Sequence, residues 1–386
     1  MTPASAATPA ANTPGWSRES MQARLGGSGG GGNKAEAATL RRARIGDAML
    51  DWACRLSAAL IALMLISLIA VLVHSAWPAI KQFGLGFLVN SEWRANEIER
   101  PLRDSAGKLI LRDGEPAMET LAPAFGALPV IWGTAISSAL ALLIAVPISL
   151  SAAIFLVRVA PKLKIAGAAS FLIEFLAAVP SLAFGIWALF VLAPFFQKYV
   201  GPFLHRILEP LPGLRWMFYE STTVAGRTIE RPIPLTGRDL FTGSLILAIM
   251  ILPIVTSVSR DVLRAVPRTQ IEGTLALGAT WWQSCVAMLR YGRSGLLGAI
   301  MLGLARAAGE TMAVTMVIGN NNQISPSPFA PAQTMASVLA NEFGEATEGL
   351  HRAALLYVAL ILLTMSLIFN VIARRLVVGK LASRNQ

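Results

Sequence analysis

Charged residues are gathered in clusters along this chain, and the stretches between them are apolar. Segments 56–80, 121–157, 240–259 and 353–373 contain no Asp, Glu, Lys or Arg. Segment 165–196 carries one acid, Glu174, and segment 295–319 carries Arg306 and Glu310. About 20 apolar residues in a helix cross the hydrocarbon core of a bilayer, so the pattern predicts six transmembrane helices and an all-α membrane protein. The surplus length of the second and third stretches is accommodated by tilt or by segments at the interface. Pro147 and Pro180 fall inside two predicted spans, where neighbouring helices can satisfy the backbone groups they free.

Composition removes the main alternative. Of 386 residues, 54% are apolar and 14% charged, with a mean hydropathy of +0.58. Soluble domains average about 25% charged residues, so a soluble globular enzyme is excluded. Cys54 and Cys285 stand far apart and the three histidines are isolated, which leaves neither a disulfide framework nor metal-ligand spacing. The net charge of +11 is unevenly placed. Segments 1–55, 158–164, 260–294 and 374–386 hold 19 basic and 6 acidic residues, whereas 81–120, 197–239 and 320–352 hold 13 and 14. Basic loops stay inside, so both termini are expected in the cytoplasm. The basic balance reports topology and gives no reason to expect a nucleic-acid partner.

This divides the chain into a disordered cytoplasmic tail (1–45), a first span (46–80), an outer segment (81–120), a core (121–373) and a cytoplasmic tail (374–386). The core includes an outer insert at 197–239 and an inner loop at 260–294. The Gly-rich tract at 26–34 lacks the Gly-Lys-Ser/Thr ending and the preceding strand of a phosphate-binding loop. It reads as a linker, and ATP has no P-loop in this chain.

Two places carry candidate chemistry. In the inner loop, Glu272 to Leu277 suits a short helix with its acid near the positive N-terminal end, and Gly278 is placed to close it with a left-handed turn. Such a helix at the membrane face is either an ordinary re-entry loop or something a soluble partner grips. In the fifth span, Arg306 and Glu310 are spaced to share one helix face. An ionised group at mid-membrane costs about 2.5–3.5 kcal/mol on insertion scales, so the pair must face protein or water. The planar guanidinium fork fits tetrahedral oxyanions, and the acid can hold it when the site is empty; alternatively the pair only fixes helix packing. Glu174 either pairs with a base on another helix or lines a pathway. Ala305 and Gly309 form a small-x-x-x-small pair suited to close helix packing.

Glu272 and Gly278, at this spacing before the penultimate span, resemble the "EAA" loop of ABC-importer permeases, although Gly273 and Thr274 replace the two alanines. The run from Gly303 through Arg306 and Glu310 to Val314, the segment Thr334 to Phe343, and Ile173 to Ser181 resemble the phosphate-specific ABC permeases, PstC type. The resemblance implies a type I importer permease fold with enlarged periplasmic segments, in the inner membrane. It implies partners: a homologous second permease, two ATPase subunits that bind ATP-Mg, and a periplasmic phosphate-binding protein. It places Arg306 and Glu310 on the phosphate path and Glu272 and Gly278 in coupling to the ATPase; no catalytic residue, metal or cofactor is expected in this chain. The alternatives are a permease for another oxyanion, such as sulfate or molybdate, or a secondary anion transporter.

Overall fold

The computed structural model of the chain describes residues 32–95, 98–101, 111–112, 115–116, 118–163, 165–224, 227–346 and 349–382. Residues 26–31 of the Gly-rich tract lie outside them. The chain divides into two compact units, residues 1–68 and 69–386.

Helix α1 spans Gly32–Phe83. It begins within the segment expected as a disordered tail, because residues 34–44 are mostly Ala, Leu, Glu, Lys and Arg, which favour helix intrinsically. In the second unit, two short antiparallel pairs follow: β1 (Ile98–Pro101) with β4 (Met118–Leu121), and β2 (Leu111–Arg112) with β3 (Glu115–Pro116). The long helix α2 (Leu128–Val159) contains Pro147 as expected. Helix α3 is Ala166–Ala177, and α4 is Ser181–Leu208. The hairpin β5 (Tyr219–Val224) and β6 (Arg227–Pro232) leads to α5 (Leu240–Arg264). Then come α6 (Arg268–Ala276), α7 (Trp281–Tyr291), α8 (Arg293–Ala308), α9 (Met312–Val317), α10 (Met335–Glu342) and α11 (Gly349–Ala382).

Among the described residues five helices are long and apolar enough to cross a membrane, within α1, α2, α4, α5 and α11. Two predicted spans are broken. Segment 165–196 splits at Pro180, which caps α4 from an extended conformation (ψ 139°). Proline lacks the N–H a helix interior needs and pushes Val179 out of helical geometry, so α3 is too short to span and α4 continues past Phe196 to Leu208. Segment 295–319 splits at Gly309–Thr311 into α8 and α9. Apolarity registers neither break.

Helix α5 is the centre of the second unit, packed by α2, α3 and α8. Ala141, Ala145, Leu247, Ile251, Ala307, Val314 and Ile318 form the core between α2, α5 and the broken pair. A Cβ on Gly303 would stand 2.7 Å from Val255 Cγ2, and one on Gly295 would stand 2.7 Å from Val262 Cγ2. These two glycines, rather than Ala305 and Gly309, let α8 lie close on α5. At the other end, Glu342 Oε2 accepts the indole N–H of Trp93 at 2.8 Å and lies 3.1 Å from His351 Nε2. That contact ties the segment before β1 to α10 and α11.

Asp239 caps α5, its Oδ1 accepting the Thr242 N–H at 2.8 Å while buried Oδ2 has no partner among the described residues. Burial pushes its pKa up to about 6. An acid with a raised folded pKa contributes best below its unfolded value and costs stability as pH rises to the folded one. Asp239→Asn keeps the cap acceptor and removes the ionisation, so its melting temperature should gain on wild type between pH 4 and pH 7. The difference corresponds to about 3 kcal/mol; a constant gap across that range would show that Asp239 stays ionised.

Candidate functional site

The site is built around the break between α8 and α9. Helix α8 ends at Ala308, with the N–H of Gly309 bonded back to Ala305 and Ala307. Arg306 therefore lies in the last turn of a helix, where the carbonyl ends favour a cation. Glu310 follows in the non-helical link, so the pair shares no continuous helix face. Its carboxylate is 7% exposed while the guanidinium is 46% exposed, and their closest approach, Nη2 to Oε2, is 4.0 Å. This is a loose contact between a buried acid and a half-exposed arginine. Thr311 Oγ1 donates to the Gly309 carbonyl at 3.4 Å, and Thr315 Oγ1 to the Thr311 carbonyl.

A second cation, this one buried, sits on α5. Arg260 is 9% exposed, its Nη1 3.2 Å from Glu174 Oε1 and its Nε 3.0 Å from Asp261 Oδ1. Glu174 thus pairs with a base on another helix, one of its two readings. The hydroxyls of Thr256 and Ser259 are buried on the same helix without hydrogen-bond partners among the described residues. In the sequence Arg260 stands at the end of an apolar run, beside the loop charges. Both carboxylates are over half exposed, and each pair alone is worth below about 1 kcal/mol. Glu174→Ala should accordingly lower stability little, whereas Glu174→Ala with Asp261→Ala strands a buried guanidinium and should cost about 3 kcal/mol. Thermal unfolding in detergent measures this; additive single effects would refute the shared anchoring.

The loop between α5 and α8 holds the other two candidates. Pro267 starts α6 at Arg268, so Glu272 stands a full turn inside the helix rather than at its N-terminal end. It is exposed. Gly278 adopts φ +82°, and the N–H groups of Gly278 and Ala279 bond to the carbonyls of Leu275 and Thr274. This pattern closes a helix with a left-handed residue, as expected at this position. Thr280 then starts α7 through a reciprocal capping box with Gln283. The turn leaves Leu277 90% and Trp282 61% exposed.

The structure sets Arg306 beside Glu310, whereas Glu272 lies inside α6 and Gly278 just past its end, and the two pairs stand apart. Arg306 lies 13 residues along α8 from Arg293, about 20 Å at 1.5 Å per residue. What links them is a run of helices: α6 packs on α7, and α7 leads into α8. Among the described residues no group of three or more His, Cys, Asp or Glu could hold a metal.

Residues 145–378 match the family model "Binding-protein-dependent transport system inner membrane component". The "Phosphate transport system permease protein PstC" of Mesorhizobium japonicum is 38% identical over 87% of this chain and 91% of that protein. Its namesake in Haemophilus influenzae is 38% identical over 83% of this chain and 90% of that protein. The "Phosphate transport system permease protein PstC 2" of Mycobacterium tuberculosis is 38% identical over 67% and 75%. A solved MetNI methionine ABC transporter chain aligns with 65% of this chain and 94% of its own length, at 15% identity and a TM-score of 0.46. The chain belongs to the family of inner membrane components of binding-protein-dependent transport systems.

Proposed function

We propose that this chain is the permease subunit of an ATP-driven importer that carries inorganic phosphate across the cytoplasmic membrane. The observation that carries the reading is an exposed guanidinium beside a buried carboxylate at a helix break. Broken helices at mid-membrane are where transporters coordinate ions and substrates, and non-helical backbone at that depth is tolerated only within protein or along water. The PstC names of relatives spanning most of the chain supply phosphate as the anion. The planar fork of Arg306 would take phosphate oxygens in pairs, with Glu310 holding it between passages.

In this reading Glu272 and the exposed residues around Gly278 face the cytoplasm, where the basic excess of segments 158–164, 260–294 and 374–386 supports placing them. A separate ATPase that binds ATP-Mg grips α6 and, on closing, drives α7 and α8 so that Arg306 changes its access. A second permease, two ATPase copies and a periplasmic phosphate-binding protein complete the assembly. This chain itself makes and breaks no covalent bond.

The test is uptake of labelled phosphate into vesicles holding the whole complex. ATP should be required, and unlabelled phosphate should compete far better than sulfate or molybdate. Equal competition would make the chain a broader oxyanion permease, and uptake driven by an ion gradient without ATP would overturn the reading.

A further inference from the structure

Between the ends of α2 and α5 and the flank of α6 lies a cavity of about 360 Å³. Three arginines line it, Arg158, Arg264 and Arg268, one from each element, together with a single acid, Glu272. Arg158 Nη2 donates to Ser284 Oγ of α7 at 3.0 Å. Among the described residues none of the three arginines has a carboxylate within 4.0 Å, whereas Arg260 one turn earlier on α5 has two. Three unneutralised guanidinium groups converging on one cavity repel each other unless an anion joins them, and a single carboxylate leaves the local balance at about +2.

The other half of the lining is apolar, with Val157, Leu263 and Leu275 among its residues. A purely aqueous anion needs no such wall, but the glycerol and upper acyl part of a lipid does. Guanidinium forks pair with phosphate oxygens, and basic pockets between helix ends at the inner leaflet recruit anionic headgroups. We propose that this cavity binds the phosphate group of an anionic phospholipid and that the bound headgroup braces α6 against α2 and α5. The membrane side of the pocket rests on the reading above, which puts the 260–294 loop at the inner face; the binding chemistry does not.

The experiment uses the full chain purified in neutral detergent, with exposed Cys54 replaced by serine and a reporter cysteine at Leu275→Cys. Leu275 lines the cavity and is 44% exposed, and Cys285 is buried. Phosphatidylglycerol added to the micelles should slow maleimide labelling of the reporter at least about tenfold, a difference of about 1.4 kcal/mol. Phosphatidylcholine should do much less. Arg264→Gln with Arg268→Gln should erase the protection, and each single variant should weaken it; both arginines are exposed, which limits harm to folding, and the melting temperature checks this. Inorganic phosphate at millimolar concentration forms a separate arm: equal protection by it would assign the same site to free anion instead of lipid. Equal protection by phosphatidylcholine, or protection that survives in the double variant, would overturn the proposal. So would protection by the ATPase subunit alone with none from lipid. Because the readout involves no transport, a chain that imported nothing would sink the importer reading and leave this one standing.

Discussion

Arg306→Ala is expected to bring phosphate uptake down to the level of vesicles without the complex, while the protein still inserts and assembles. Charge-assisted hydrogen bonds contribute about 1.5–3 kcal/mol each, and losing a bidentate pair removes about 3–6 kcal/mol, a factor of roughly 10² to 10⁴ in rate or affinity. Stability should change little, because the guanidinium is half exposed and its contact with Glu310 is a long 4.0 Å, in the range where ion pairs contribute under about 1 kcal/mol. That separation makes the test clean. Arg306→Lys keeps the charge but loses the fork, so its uptake should fall between the two. Transport that survives Arg306→Ala would reduce the arginine to a packing element. Glu310→Gln probes the other half: the side chain keeps its shape in its buried place but no longer restrains the cation, so phosphate affinity should shift while assembly persists.

Glu272→Lys is the second large effect, and it acts on a different step. Glu272 is exposed and has no ion-pair partner among the described residues, so the chain alone should lose no more than the ~0.5 kcal/mol typical of surface changes. Where the ATPase docks, however, reversal puts a cation on the exposed face of α6 in place of the acid. Mispaired charge in a protein interface costs about 2–5 kcal/mol, enough to lower co-purification of the ATPase at least about tenfold. Uptake should drop in parallel. Normal recovery of the ATPase with the variant would place docking elsewhere on the chain.

The fold was legible where its physics is one-dimensional. Charge-free length gave the spans in α1, α2, α5 and α11, and the Gly278 turn was visible because few residues but glycine hold φ near +80°. What stayed hidden is the interruption of a helix by residues that are themselves apolar or small. Gly309 and Thr311 read as membrane-compatible, and Glu310 between them marks a charge without marking a break, since hydropathy does not distinguish a helix from a link of the same polarity. Pro180 carried the signal for the other break, yet proline is tolerated inside membrane helices, so the residue alone did not decide. Arg260 was missed for a related reason. It is buried by α3 lying across α5, a contact between elements distant in the chain, and its own neighbours Asp261 and Arg264 make it look like loop. Of the candidate site, Arg306 and Glu310 stand out as charges four residues apart in an apolar run, but their geometry, a cation at a helix end and an acid in a link, does not show in the sequence.

The link at Gly309–Thr311 has one more consequence, for the fate of an unassembled copy. Where a helix stops, up to four carbonyls lose their intrahelical partners, and hydrocarbon offers them none. Left alone in the bilayer, the chain would either admit water to that level or refold the link into continuous helix, withdrawing Glu310 from its place. Cells making this subunit without its companions should therefore accumulate little of it, as membrane proteases clear orphans that cannot hide their polar backbone.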